Sequence, residues 1–127
     1  MNYLLDTHAF LWFVDGNPML PLKIRKVIQN PETMKFVSIA SLWEIAIKTG
    51  KDKLLLTKPF ETLPEYIEVN KFILLPVLPR HLFELKELPH RHGDPFDRLI
   101  IAQAITESLT IISADKQFKD YPADVAW

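Results

Sequence analysis

The chain has 127 residues, of which 48% are hydrophobic and 24% are charged, a balance typical of one globular domain with its own apolar core. It contains no cysteine, which excludes disulfide frameworks, thiolate zinc sites and cysteine nucleophiles. Fifteen basic and sixteen acidic residues give a formal net charge of -1, so the chain lacks the basic excess of many nucleic-acid-binding modules. Any contact with RNA must therefore be local.

The first residues lack the basic flank of a signal peptide, and no apolar run approaches the roughly 20 residues of a membrane span. We expect a single domain over residues 1–127, a cytoplasmic location and no membrane association. The first half of the chain alternates short apolar runs with turn signals. Its predicted elements are strands at 3–5 and 36–38 and helices over 7–14, 22–28 and 39–49.

The second half continues this alternation. Its predicted elements are strands at 72–75, 110–113 and 125–127, helices over 62–70, 80–88 and 94–108, and a short turn or helix over 114–118. The start of the helix over 94–108 is the best-defined boundary, because Asp94 is a favoured N-cap and Pro95 suits the first helical position. Strands that alternate with helices need crossover connections, which predicts an α/β fold with a mostly parallel sheet of four to five strands.

Acidic residues that follow strands are the first candidates for a functional site. Asp6 follows the first predicted strand, and Asp115 follows the fourth. Ligand crevices of open parallel sheets lie beyond the carboxyl ends of the strands, so both aspartates are well placed. Judged alone, each is explained equally well as a helix N-cap or a turn residue.

Three further acids lie in helices. Glu44 has mostly apolar sequence neighbours, and either a capping box that begins at Ser41 or an i, i+4 pair with Lys48 would account for it. Asp94 and Asp97 hold the N-cap and N3 positions of their helix, where carboxylates gain from free amides and the helix dipole. Capping is the favoured interpretation of Asp94, whereas Asp97 could also point into the crevice.

The histidines add no metal-binding pattern. None of the four forms a zinc motif, and each is more typical of a structural or surface position than of a catalytic one. They are His8, His81, His90 and His92.

Four segments, in order along the chain, resemble the PIN-domain family, and more narrowly the VapC-type toxins with a DPFDR helix start. They are LLDTH at 4–8, SLWEIAIK at 41–48, HGDPFDRLIIAQA at 92–104 and ISAD at 112–115. The resemblance implies a Rossmann-like three-layer α/β sandwich. It also implies a magnesium- or manganese-dependent endoribonuclease that hydrolyses single-stranded or loop RNA and acts as the toxin of a toxin–antitoxin pair.

Carried over motif by motif, the resemblance implies that Asp6, Glu44 and Asp97 are the core catalytic and metal-site acids and that Asp115 is the fourth. Asp94 and Ser113 are accessory candidates. The cations beside the acids in sequence are candidates for contact with phosphate or RNA, namely Arg98 and Lys116, whereas a solvated surface position is favoured for Lys48.

The same resemblance implies a homodimer and a separately encoded antitoxin that silences the enzyme. An acidic crevice attracts an Arg or Lys side chain delivered by a partner, which would sit among the carboxylates and displace the metal. Apolar residues of the first half are candidate anchors for that partner, although aromatics at helical spacing are more often core. They are Leu11, Trp12, Phe13 and Trp43.

The implied chemistry is physically consistent. Several carboxylates within a few ångströms of one another raise each other's pKa values unless a cation neutralises them. All-oxygen ligands select hard divalent ions such as Mg²⁺ and Mn²⁺. Such an ion would hold the scissile phosphate and help to generate hydroxide from water, so no side-chain nucleophile is required.

Two other functions stay open. An aspartyl-phosphate phosphatase or phosphotransferase would use Asp6 as its nucleophile, but the haloacid-dehalogenase pattern has a second aspartate two residues later, where this chain has His8. A non-catalytic α/β module, in which the acids are only caps and turn residues, would act solely by binding a partner.

Overall fold

The computed structural model describes residues 1–127 as a five-stranded sheet with helices packed on both faces. The strands are β1 Asn2–Leu5, β2 Met34–Ser38, β3 Ile73–Leu75, β4 Thr110–Ile112 and β5 Val125–Ala126. The α-helices are α1 Thr7–Asp15, α2 Leu22–Gln29, α3 Ile39–Gly50, α4 Leu63–Val69, α5 Pro79–Glu87 and α6 Pro95–Glu107. Two 3-10 helices lie at Phe60–Thr62 and Lys116–Asp120.

Every strand pair is parallel, and the strand order is β3-β2-β1-β4-β5. The chain builds from β1 outward through β2 to β3, then crosses back to the other side of β1 with β4. The winding therefore reverses between β1 and β4, and connections that diverge at such a point leave a crevice beyond the carboxyl ends of the strands. The predicted α/β class and mostly parallel sheet of four to five strands are confirmed.

The register brings the ends of β1, β2 and β4 to one edge. Leu5 pairs with Val37 on one side and with Ile112 on the other. The backbone N–H of Asp6 donates to the carbonyl of Ile112 at 3.1 Å, which extends the ladder by one residue. Asp6 and Ser113, from opposite ends of the chain, therefore become neighbours at the carboxyl edge of the sheet.

The apolar core lies on both sides of the sheet, because successive strand residues point to opposite faces. Leu5 packs with Phe10 and other apolar residues of α1, α2 and α4. Leu4 packs on the opposite face with Ile101 of α6 and with Phe118. This division produces the expected three layers of helix, sheet and helix.

Local sequence explains how two site helices begin. Ser38 caps α3 through a hydrogen bond from the backbone N–H of Ala40 at 2.9 Å. The capping box from Ser41 is therefore wrong, because Ser41 lies inside the helix. Asp94 caps α6 with Pro95 at its first position, as predicted.

Two further observations complete the fold. The helix predicted over 62–70 is confirmed as the α-helix Leu63–Val69, and the 3-10 helix Phe60–Thr62 directly precedes it. Gly16 ends α1 with a φ of 62°, and its N–H faces the carbonyls of Trp12 and Phe13, as its place in the predicted turn requires. The structure has no helix with the length and apolar character needed to cross a bilayer.

Candidate active site

Asp6 joins the end of β1 to the start of α1. Its Oδ1 accepts a hydrogen bond from the backbone N–H of Ala9 at 2.8 Å, and its Oδ2 accepts one from Ser113 Oγ at 2.6 Å. Burial raises the pKa of this carboxyl, although both hydrogen bonds act in the opposite direction. Asp6 is thus an N-cap and also a buried carboxylate at the carboxyl edge of the sheet.

Glu44 is only 3% exposed, and both of its oxygens have partners. Thr7 Oγ1 lies 2.7 Å from Glu44 Oε1 and 3.0 Å from Ser41 Oγ. A hydroxyl has one proton and a carboxylate is the stronger acceptor, so Thr7 donates to Glu44 while Ser41 donates to Thr7. Lys48 Nζ donates to Glu44 Oε2, which confirms the predicted i, i+4 pair.

Asp94 and Asp97 bring two carboxylates to the N-terminus of α6. Asp94 Oδ1 accepts hydrogen bonds from the backbone N–H groups of Phe96 at 2.9 Å and of Asp97 at 3.0 Å. Asp94 is therefore a helix cap, the interpretation favoured for it. Both capping bonds use Oδ1, which leaves Oδ2 without a backbone partner.

Asp115 lies on the exposed rim of the site. Its Oδ1 accepts from the backbone N–H of Gln117 at 2.9 Å and so caps the 3-10 helix Lys116–Asp120. Its own N–H donates to Ser113 Oγ at 3.0 Å. Since Ser113 Oγ also donates to Asp6, one hydroxyl connects two of the candidate acids.

Asp97 shows that the acids influence one another. Its pKa is raised to about 7, chiefly by burial and in smaller part by the negative charges of the other candidate acids. Those acids, in order of effect, are Asp94, Glu44, Asp6 and Asp115. The fold therefore gathers acids from β1, α3, α6 and the segment after β4 into one region of negative potential.

The carboxylate oxygens of the candidate acids are the type of ligand that a hard divalent cation prefers. In residues 1–127 no group of three or more acidic or histidine side chains is close enough together to hold a metal ion. Magnesium, however, usually takes one or two direct carboxylates and keeps several waters. An all-oxygen donor set under mutual repulsion suits such an ion, and the acids that would hold it at this edge are Asp6, Glu44, Asp97 and Asp115.

The candidate cations differ in their surroundings. Arg98 is 8% exposed, and its Nη1 donates to the carbonyl of Pro89 at 2.9 Å and to Tyr121 Oη at 3.2 Å. These contacts make Arg98 a structural residue and give no support to its predicted contact with phosphate. Lys116 is exposed beside Asp115. Lys48 is not a free surface charge as favoured, because Glu44 holds it.

The apolar residues proposed as partner anchors are mostly core. Leu11 and Phe13 are each 6% exposed and pack in the cluster between the sheet and α1. Those two assignments are therefore wrong. Trp12 packs against Trp127, with ring centroids 5.8 Å apart. Trp43 is 55% exposed and contacts the ring of Phe96 edge-on, with centroids 5.0 Å apart.

Several residues of the site were not found by sequence reasoning. Thr7 holds Glu44, and Ser41 holds Thr7. The available signals were the adjacency of Thr7 to Asp6 and the i, i+3 spacing of Ser41 and Glu44 on α3. His92 approaches Asp97, with 3.6 Å between Nε2 and Oδ2, although it was assigned a structural or surface position. No sequence pattern connects these residues across different elements.

A comparison with solved structures finds chains of the same fold. VapBC2 from Rickettsia felis, bound to a DNA fragment from their promoter, is 19% identical, with 100% of this chain and 99% of that chain covered and a TM-score of 0.73. DNA-bound VapBC from Salmonella typhimurium is 16% identical, with coverage of 99% and 97% and a TM-score of 0.71. FitAcB from Neisseria gonorrhoeae is 19% identical, with coverage of 97% and 95% and a TM-score of 0.61.

At these identities the structural likeness shows the fold. A comparison with curated proteins found no match. A family model described as PIN domain matches residues 3–124, a range that contains every candidate acid and all of the sheet except Asn2 of β1 and the whole of β5. The chain belongs to the PIN domain family.

Proposed function

We propose that this protein is a divalent-metal-dependent endoribonuclease and the toxin of a toxin–antitoxin pair of the VapC type. The observation that carries the proposal is that the fold brings five carboxylates from separate parts of the chain to one edge of the sheet, where one hydroxyl links Asp6 and Asp115 and the charges of the other four raise the pKa of Asp97. A fold gains nothing in stability by collecting like charges at one edge, so the cluster favours a role in binding a cation. Isolated caps and turn residues would not need to share one region.

The surrounding residues hold the acids in fixed orientations before any ion binds. Ser113 fixes one oxygen of Asp6, and the N–H of Ala9 fixes the other. Thr7 and Lys48 fix the two oxygens of Glu44. Such preorganisation lowers the cost of arranging a site for the reaction.

We assign the ion to Asp6, Glu44, Asp97 and Asp115, with Asp94 as an accessory acid. When bound, Mg²⁺ or Mn²⁺ would stabilise charge on the scissile phosphate and lower the pKa of a water molecule. The exposed Lys116 is the cation beside this edge that is free to approach a phosphate. Arg98 is left out because its contacts are with Pro89 and Tyr121.

An antitoxin partner is supported by the neighbouring structures, which are those of VapBC and FitAcB. We propose that a separately encoded partner delivers an Arg or Lys side chain to the acidic edge and competes there with the metal. A homodimer belongs to the same proposal. Co-expression with the neighbouring reading frame should restore growth and yield a stoichiometric, inactive complex, whereas a protein that never impairs growth would contradict the toxin role.

RNA cleavage by the purified protein tests the enzymatic proposal. The substrates are a panel of tRNAs and rRNA fragments, each incubated with Mg²⁺, with Mn²⁺ and with chelator. We expect cleavage with either ion, none with chelator, and none with Asp6→Asn, Glu44→Gln or Asp97→Asn. Asp52→Asn is the matched control, because Asp52 is exposed and its φ of 55° suits asparagine.

Ion binding is tested separately by melting. An ion that binds only the folded state stabilises it by roughly 2.7 kcal/mol at a hundredfold excess over its dissociation constant. We expect Mn²⁺ to raise the Tm of the wild type and of Asp52→Asn, but not of a variant that lacks both Asp6 and Asp97 carboxylates. An equal shift in that double variant would identify non-specific ion binding. Ion binding without any RNA cleavage would favour the non-catalytic alternative.

A further inference from the structure

His92 has one ring nitrogen without a hydrogen-bond partner beside the proposed site. Its side chain is 9% exposed, and Nε2 is buried with no partner. Oδ2 of Asp97 lies 3.6 Å from this nitrogen, which is beyond hydrogen-bond length. The ring packs edge-on against Phe118 and tilted against Tyr121, which restricts its rotation.

His81 shows what a purely structural histidine looks like in the same molecule. It is fully buried, and both of its ring nitrogens are satisfied. Nδ1 accepts from the backbone N–H of Leu78 at 2.9 Å, and Nε2 lies 2.8 Å from Glu107 Oε2. His92 differs because its Nε2 has no hydrogen-bond partner and lies near Asp97, one of the candidate acids.

The hydrogen bonds of Tyr121 determine which nitrogen of His92 carries the proton. Tyr121 Oη lies 3.2 Å from the backbone N–H of His92 and 3.2 Å from Arg98 Nη1, and both of these groups can only donate. The two lone pairs of the phenol oxygen are then occupied, and its single proton remains for His92 Nδ1 at 2.7 Å. Nδ1 is therefore the acceptor, and the neutral ring carries its proton on Nε2.

We propose that His92 is a positioning residue for Asp97: Tyr121 fixes the ring as the Nε2–H tautomer, and this N–H orients the carboxylate of Asp97 by electrostatic attraction across the 3.6 Å between Nε2 and Oδ2. The role of His92 in ion binding rests on the proposed function, in which Asp97 is a ligand of the ion. A carboxylate with one oxygen attracted to a fixed donor keeps its other oxygen in a constant direction, toward the ion. Arg98 contributes to the same series of contacts, because its hydrogen bond fixes the phenol of Tyr121.

Imidazole nitrogen NMR on the metal-free protein tests the tautomer directly. Long-range ¹H–¹⁵N spectra distinguish a protonated from an unprotonated ring nitrogen, and His92→Gln identifies the signals of this ring. We expect the Nε2–H form in the wild type, and a loss of that preference in Tyr121→Phe, which keeps the aromatic packing but removes the proton donated to Nδ1. A ring protonated on Nδ1 in the wild type would overturn the proposal.

Binding of Mn²⁺ alone, measured by titration calorimetry, tests the consequence. Changes to residues that orient metal ligands typically weaken affinity about 10- to 100-fold, and we expect a loss of that order in His92→Leu and a smaller loss in Tyr121→Phe. His90→Gln is the matched control, because His90 is exposed and two residues away. Folded His92→Leu and Tyr121→Phe proteins that both bind Mn²⁺ like the wild type would overturn the positioning role.

The two proposals fail in different ways. If the wild type binds no Mn²⁺ and cleaves no RNA, the proposed function is contradicted. The tautomer measurement needs no ion, so it still decides whether Tyr121 directs the His92 N–H toward Asp97.

Discussion

Ser113 donates a hydrogen bond from Oγ to Oδ2 of Asp6 at 2.6 Å and so links the ends of adjacent strands β4 and β1. Asp6 is 5% exposed and Ser113 is 2% exposed, so water competes little for this contact. The same hydroxyl accepts from the N–H of Asp115. One small side chain therefore positions acids from the two ends of the sequence.

We predict that Ser113→Ala destabilises the protein by about 1 to 3 kcal/mol, the usual cost of leaving a buried acceptor without its donor. The pKa of Asp6 should rise further, because the Ser113 hydrogen bond lowers it. Urea unfolding at pH 8 measures the change. A double-mutant cycle with Asp6→Asn supplies the control, and additive effects of the two substitutions would contradict a direct interaction.

For Asp94→Ala we predict a loss of about 0.5 to 2 kcal/mol in stability, because two backbone N–H groups at the start of α6 lose their acceptor. Cleavage activity should fall less than it does with Asp97→Asn. Thermal unfolding and RNA cleavage are measured on the same preparations of both variants. If Asp94→Ala lost ion binding while its Tm stayed unchanged, Asp94 would act mainly as a metal ligand and not as a helix cap.

Much of this site could be predicted where the signal is local. Asp94 followed by Pro95 marked the start of α6, and Asp6 directly after an apolar strand marked the carboxyl edge of the sheet. The contacts that hold the acids are not local. Ser113 meets Asp6 only because β4 returns beside β1, a choice of strand order that no short pattern encodes.

The role of Arg98 was mispredicted for the same reason. Its position next to Asp97 in sequence suggested that both side chains face the crevice. Adjacent helical residues do not share a face, and the guanidinium points instead to the carbonyl of Pro89 and the phenol of Tyr121. Tyr121 lies 23 positions further along the chain, so only the folded structure reveals that pairing.

The stability of the metal-free protein should depend on pH through Asp97. Its pKa is about 7 in the folded state against 3.8 for the free group, so between about pH 4 and pH 7 the folded state binds a proton that the unfolded state has lost. Stability therefore falls as the pH rises through that window. The raised pKa of Asp6 acts in the same direction.

Asp97→Asn isolates this contribution. The variant should gain stability relative to the wild type as the pH rises from 4 to 7, and Asp52→Asn should show no such trend. Denaturant unfolding in the presence of chelator, repeated at several pH values, measures the difference. Parallel pH profiles for the wild type and Asp97→Asn would show that Asp97 titrates at its ordinary value.

Lys48 occupies one oxygen of Glu44 and would compete there with the proposed ion. Its Nζ donates to Glu44 Oε2, and the Glu44 carboxylate raises the pKa of Lys48, with further contributions from Asp94 and Asp97. The side chain of Glu44 is 4% exposed and that of Lys48 is 39% exposed, so the lysine can leave toward solvent while the carboxylate stays in place. In the metal-free protein, Lys48 is thus the cation that partly neutralises the cluster.

We predict that Lys48→Met lowers the Tm of the metal-free protein, because a buried carboxylate loses its charged partner. Mn²⁺ should then raise the Tm of Lys48→Met by more than it raises that of the wild type, since the ion no longer has to displace an ammonium group. Lys51→Met is the matched control, because Lys51 is exposed at the end of the same helix. Melting curves over a Mn²⁺ series measure both effects. A smaller Mn²⁺ shift in Lys48→Met than in the wild type would mean that Lys48 orients Glu44 for the ion rather than competing with it.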